Sequence, residues 1–273
     1  VTSHYKVALT IAGSDPSGGA GLQADLKTFA ALKIHGFSAV TAIIAQNSAR
    51  VARVLPVDAD LLAAQIETLV EEYRPGALKI GALATAANVA VVARVITALR
   101  LPAPVLDPVL ISSSGARLLD SNAEKTLLTD LLPLTRVVTP NLPEAETLSG
   151  IKIDSPAALH EAARALLKHG AQAVIIKGGH QFGHETEPHR STDLFFDGEN
   201  FLELSADRLP GDGAHGTGCA FSAAIAAELA HGAALNTAVR RAKDFVVRAL
   251  SNRYRLGSGR YLLDHLGGAS QKG

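Results

Sequence analysis

Short apolar runs rich in Val and Ile alternate with longer Ala- and Leu-rich stretches of helical spacing, and this alternation most limits the fold. Val7–Ala12 is an apolar run closed by Gly13 and reads as a buried strand. Leu22–Ile34 carries helical spacing, Val40–Ala45 is a second strand, and Asp58 reads as the N-cap of a helix over Leu61–Glu72. Leu78–Ile80, Val105–Leu106, Val137–Val138 and Ala173–Lys177 read as further strands. Between them, helices are predicted over Asn88–Leu99, Asn122–Leu131, Pro143–Leu148 (closed by Gly150) and Pro156–Lys168 (capped by Ser155, ended by Gly170). Such alternation calls for a mainly parallel sheet with helices on both faces. Thr192–Phe196 and Phe201–Leu204, joined by Asp-Gly-Glu-Asn, read as an appended hairpin. Two helices, Cys219–Ala230 and Leu235–Tyr254, complete the pattern.

The 273 residues show no internal repeat or linker, so a single domain over 1–273 is expected, with 269–273 as a frayed tail. Basic and acidic residues balance at 26 each, which gives no basic field for nucleic acid or an anionic membrane. No apolar run reaches membrane-spanning length, and one cysteine excludes an internal disulfide framework. A cytoplasmic location is the expectation.

Ligands of open α/β sheets bind beyond the carboxyl ends of the strands, so the candidate site segments are those that follow the strands. Gly13-Ser14-Asp15-Pro16-Ser17-Gly18-Gly19-Ala20-Gly21 follows the first strand. It suits close backbone approach to a ligand, or simple flexibility, and it lacks the lysine of a nucleotide phosphate loop. Asp25 offers a ligand acceptor or a favourable first-turn charge. Gln46 both donates and accepts, as a ring reader or as a surface amide. Asp107 and Glu144 could share a hydrated magnesium; read separately they are a turn aspartate and a helix-start glutamate. Lys177 is placed to meet nucleotide phosphate. His180, His184 and His189, near Glu185 and Glu187, do not match tetrahedral metal spacing and read as a solvated flap.

Gly213-Ala214-His215-Gly216-Thr217-Gly218-Cys219 runs straight into an Ala-rich helix. The free N–H groups of a helix start attract phosphate oxygens, and a thiol held there is expected to ionise more easily. Taken alone, a lone cysteine such as Cys219 is more often a small buried hydrophobe.

Together, AGSDPSGGAGLQADLKTFAAL (12–32), TAIIAQNS (41–48), DPVLISSSG (107–115), TPNLPEAETLSG (139–150), IIKGGH (175–180) and HGTGCAFSAAIAAELAHG (215–232) resemble the hydroxymethylpyrimidine/phosphomethylpyrimidine kinases of thiamine biosynthesis, within the ribokinase-like superfamily. The resemblance implies a ribokinase-like three-layer fold and an ATP-dependent kinase. Its substrate would be the hydroxymethyl group of an aminopyrimidine and then the monophosphate. It implies that Gly13, Asp25, Gln46, Ala82 and Val109 meet the pyrimidine, Asn141 and Lys177 the ATP, and Asp107 and Glu144 the magnesium. Gly216, Thr217, Gly218 and Cys219 would form the anion hole, with Cys219 as base, and a homodimer is implied. The family commonly has methionine where Ala82 stands, which puts substrate selectivity in question. The rivals are pyridoxal kinase of the same fold and a catalytically silent pyrimidine-binding module.

Overall fold

A computed structural model of the chain describes residues 5–47, 49–112, 114–178, 190–209, 213–257 and 259–267. The histidine-rich segment around 180–189 and the tail at 269–273 lie outside the described residues. In chain order the elements begin β1 (Lys6–Ser14), α1 (Gly21–Ala31), β2 (Ile34–Gln46), β3 (Val51–Pro56), α2 (Ala59–Glu72), β4 (Ala77–Ile80) and α3 (Ala86–Ala98). Next come β5 (Val105–Leu106), α4 (Ala123–Thr126), β6 (Val137–Val138), α5 (Leu142–Ser149), α6 (Pro156–Lys168), β7 (Val174–Ile176), β8 (Arg190–Phe196) and β9 (Phe201–Asp207). The chain closes with β10 (Ala214–His215), α7 (Thr217–Ala230), α8 (Leu235–Ser251), β11 (Tyr254–Arg255) and β12 (Tyr261–Leu262).

Nine strands form one sheet in the order β3-β2-β1-β4-β5-β6-β7-β8-β9. The pairs from β2 to β7 are parallel, and β3, β8 and β9 add antiparallel edges. Helices α2 to α6 pack one face around Leu9, Ile11, Leu78 and Ile80. Helices α7 and α8, with Phe29 of α1, cover the other face around Ala8, Ala77 and Val105. This is the expected three-layer α/β architecture, and β8–β9 is the expected hairpin. The apolar period of α8 puts Ala238, Val239, Ala242, Phe245, Val246 and Ala249 on one buried stripe. In α7, alanines are buried almost all round, because it lies between the sheet and its neighbours α1 and α8. Asp58 and Ser155 cap their helices through side-chain oxygens, and Gly150 closes α5 in the left-handed conformation.

Four expectations need correction. α1 stops at Ala31; Lys33, at φ 59, turns the chain so that Ile34 opens β2. β2 begins at Ile34, well before the short strand expected, because Ile34–Val40 pairs with β1; its other end pairs with β3, a strand its mixed Val/Arg sequence does not announce. The segment at Asn122–Leu131 is one α turn followed by a π turn (Leu127–Leu131) and a 3-10 turn (Leu132–Leu134) that accommodates Pro133. The last helix ends at Ser251, and Tyr254 joins a small sheet in the order β10-β12-β11.

β1 sits between β2 and β4, with its crossovers leaving in opposite directions. That is the switch point at which a doubly wound sheet opens a crevice beyond its strand ends.

Candidate active site

A cavity of about 430 Å³ occupies that crevice. Of the residues expected at the site, Gly13, Gln46, Ala82, Asp107, Val109, Asn141, Glu144, Lys177, Gly216, Gly218 and Cys219 line it. Asp25 and Thr217 do not. Thr217 turns its hydroxyl back to the Ala214 carbonyl at 2.8 Å. Asp25 is wholly buried behind the wall.

The floor is the start of α7. Gly216 is its N-cap at φ 85, and a Cβ there would lie 1.7 Å from the Gly19 carbonyl oxygen, so only glycine fits. The first intrahelical donor is Ala220, bonding to Gly216, which leaves the N–H groups of the preceding turn without an intrahelical acceptor. A Cβ on Gly218 would come 3.1 Å from Lys177 Nζ and 3.7 Å from Asp107 Oδ2. The bare backbone thus faces the charged wall opposite.

Asp15 fastens the glycine-rich loop to this floor. Its carboxylate accepts from Ser17 N (2.9 Å), Ala20 N (2.8 Å) and the Ser17 hydroxyl, and pairs with His215 Nε2 at 3.0 Å. Burial pushes its pKa up, but His215, the Gln46 amide and Ser17 outweigh this and hold it far below the usual carboxylate range. The Gln46 amide is therefore engaged with Asp15 as well as facing the cavity.

Beneath the floor, Lys79 Nζ donates to Asp25 Oδ2 at 2.8 Å, and the Thr10 hydroxyl donates to the same oxygen at 2.6 Å. Neither charged side chain reaches solvent. Removing one partner of such a buried pair costs about 3–5 kcal/mol, so the pair is fixed in place. Asp25 therefore meets a lysine rather than a ligand.

Across the cavity, Asp107 follows β5, Asn141 caps α5 and Lys177 follows β7. Lys177 Nζ donates to Asp107 Oδ1 at 2.7 Å, and the Thr139 hydroxyl lies 3.3 Å from that oxygen. Asn141 and Glu144 form a capping box: Glu144 N donates to Asn141 Oδ1 and Asn141 N to Glu144 Oε2, each at 2.9 Å. Leu110 N reaches Glu144 Oε1 at 3.4 Å. Burial, opposed by Lys177 and helped by Asp107, pushes the Glu144 carboxyl up to about 7. Two carboxylates on one wall, already partly occupied by N–H donors, fit a magnesium ion that keeps most of its waters. Among the described residues, no cluster of three His, Cys, Asp or Glu stands ready to chelate a metal.

The expected ease of ionising Cys219 does not hold for the free site. Burial pushes its thiol up to about 11; Lys79 and a hydrogen bond from Gly21 N–H pull the other way, while Asp107 and Asp25 oppose them. Desolvation around the thiol outweighs what its place at a helix start would favour, and nothing local in the sequence signals it. Lys79, Asp15 and His215 were not among the residues expected at the site. The visible signal for Lys79 was a lone charge within an apolar strand, Ala-Leu-Lys-Ile.

A family model described as phosphomethylpyrimidine kinase matches residues 15–264. The hydroxymethylpyrimidine/phosphomethylpyrimidine kinase of Haemophilus influenzae is 43% identical over 263 residues, which is 96% of this chain and 97% of the relative. A pyridoxal kinase of Staphylococcus aureus, solved in complex with AMP-PCP and pyridoxal, has a TM-score of 0.85 at 37% identity, over 96% of this chain and 94% of its own. The phosphomethylpyrimidine kinase of Clostridium difficile has a TM-score of 0.77 at 36% identity, over 89% and 98%.

Proposed function

The chain belongs to the phosphomethylpyrimidine kinase family, and we infer from that membership how its cavity performs the reaction. It is an ATP-dependent kinase of thiamine biosynthesis, phosphorylating hydroxymethylpyrimidine and then its monophosphate. The observation that carries the reading is the bare helix start of α7 facing Lys177 and Asp107 across the cavity. That arrangement supports in-line phosphoryl transfer, in which the protein mainly positions reactants and stabilises charge.

In this reading the ring lies against Gly13, Gln46, Ala82 and Val109, with its hydroxymethyl group toward Cys219. Cys219 first loses its proton to solvent; as thiolate it takes the substrate hydroxyl proton while that oxygen bonds to the γ-phosphorus and the bond from phosphorus to the ADP oxygen breaks. The backbone N–H groups of Gly216, Gly218 and Cys219 stabilise the phosphoryl oxygens. Lys177 shifts from Asp107 toward the triphosphate, and Asn141 orients the nucleotide. Asp107 and Glu144 would hold magnesium, which supplies positive charge to the phosphates when bound.

Pyridoxal kinase is the second reading. It is favoured by the likeness to the S. aureus enzyme and by Ala82, whose short side chain leaves the wall beside Ile44 and Leu118 open. Purified protein with ATP and each alcohol in turn, with product masses measured, separates the two. The pyrimidine mono- and diphosphates are the expected products; pyridoxal phosphate alone would reverse the assignment. A cytoplasmic homodimer is the state we propose. Sedimentation at micromolar concentration tests the dimer. No described helix is long and apolar enough to cross a membrane.

A further inference from the structure

We propose that Asp193 is a positioning residue for the nucleotide: its carboxylate, fastened to Lys243, fixes the backbone after Lys177 so that this lysine faces the start of α7. The inference rests on the reading that Lys177 meets the triphosphate.

The ladder between β7 and β8 ends just short of that lysine. Val174, Ile175 and Ile176 pair with Phe196, Phe195 and Leu194, so the antiparallel register puts Asp193 opposite Lys177. Beyond the last pair the Asp193 side chain takes over, and its Oδ1 accepts from Gly178 N at 2.8 Å. On the other side, Lys177 N donates to the Pro140 carbonyl at 2.8 Å, and Lys177 forms a parallel bridge with Asn141. The peptide groups before and after Lys177 are thus both held, one by the loop that enters α5 and one by β8.

Strand alternation gives the direction. Ile175 and Phe195 lie on the face covered by α7 and α8, and Lys177 and Asp193, each two residues away, belong to the same face. There Lys177 Nζ comes up to the bare backbone of Gly218, and Lys243 of α8 donates to Asp193 Oδ2 at 2.7 Å. Neither Asp193 nor Lys243 lines the cavity. An ion pair that only tied β8 to α8 would need no third partner. This carboxylate divides its oxygens, one to the ammonium and one to the N–H that follows Lys177. A line of contacts therefore runs from α8 through β8 to the residue whose own ammonium meets Asp107 at 2.7 Å.

Binding of AMP-PCP with magnesium to the full-length protein, without the alcohol substrate, reads this positioning apart from the chemical step. Asp193→Leu with Lys243→Met removes the acceptor for Gly178 N–H and leaves neither charge unpaired. It should raise the Kd about fivefold to tenfold, the size of one lost hydrogen bond. Asp193→Asn with Lys243→Met breaks the same ion pair but keeps an acceptor, and should stay within about twofold of wild type. A lowered melting temperature with an unchanged Kd in the Leu variant overturns the proposal, and so does an equal loss of binding in both variants. In a Lys177→Met background the Leu variant should add no further loss, because the side chain it positions is gone. Additive losses would mean a general loosening of the site and would also overturn the proposal. If the Leu variant does not fold, Asp193→Ser with Lys243→Met carries the test with the same expectations, its hydroxyl being too short to reach Gly178. An unchanged Kd in Lys177→Met alone would overturn the nucleotide role of Lys177 itself. A raised Kd there with an unchanged one in the Leu variant would overturn only the role of Asp193.

Discussion

The two sides of the cavity use the same pair of residue types to different ends. Beneath the α7 floor, Lys79 and Asp25 are both wholly enclosed. On the opposite wall, Lys177 keeps 17% of its side chain exposed beside Asp107 at 3%. A sealed pair is a fixed charge that no ligand can displace. A pair that opens on the cavity can exchange its partner, as the proposed function asks of Lys177. In the proposed reaction the sealed pair would stay in place while the open one exchanges its carboxylate for the nucleotide.

Four substitutions would break or sharpen that contrast. The largest effect is expected at the floor. Cys219→Ser should lower turnover on the order of a hundredfold, since a hydroxyl is much harder to ionise, while the KM for ATP stays close to wild type. Turnover near wild type would remove Cys219 as the base. Next, Lys177→Met should raise the KM for ATP by about tenfold to a hundredfold, the loss of a charge-assisted hydrogen bond of about 1.5–3 kcal/mol. A change confined to kcat would mean that Lys177 does not exchange partners on nucleotide binding. Smaller again is Ala82→Met. The Ala82 carbonyl is held by the Thr41 hydroxyl at 2.6 Å, so only the side chain changes, and the kcat/KM ratio of hydroxymethylpyrimidine over pyridoxal should rise by about tenfold. An unchanged ratio would show that neighbouring side chains already fill the wall.

The smallest effect is a stability difference at Glu144. Its folded pKa, about 7, lies above the ordinary value of 4.5. Between those values the folded chain binds more protons than the unfolded one, so stability falls as pH rises through the window and stays lower above it. Glu144→Gln keeps an acceptor for the capping box without the charge. It should melt a few degrees above wild type near pH 8, at about 2–4 °C per kcal/mol, with the gap closing by about pH 4.5. A gap that did not change with pH would place the cause elsewhere than the carboxylate.

The layered sheet could be read from sequence because β5, β6 and β7 are wholly apolar, β1 is largely so, and α2, α3, α5 and α6 carry side-chain caps. β3 could not, because Val51-Ala-Arg-Val-Leu-Pro is half exposed and gains its place from pairing with β2. Most cavity-lining positions were readable from motifs at strand ends. What escaped was the protonation chemistry: Asp25 and Lys79 are neighbours in space but 54 residues apart in sequence, and the cost of burying Cys219 depends on elements from both chain ends.

Asp15 and His215 meet across 200 residues, at the place where the Gly19 carbonyl lies against Gly216. Contacts between such distant positions form only after a large loop has closed, which is entropically costly. A chain emerging from the ribosome has all nine strand segments of the large sheet by Asp207 and still lacks the floor proposed to receive phosphate. Because α7 and α8 also cover one face of the sheet, a chain ended at Asp207 would lack both that half of the core and the proposed phosphate floor.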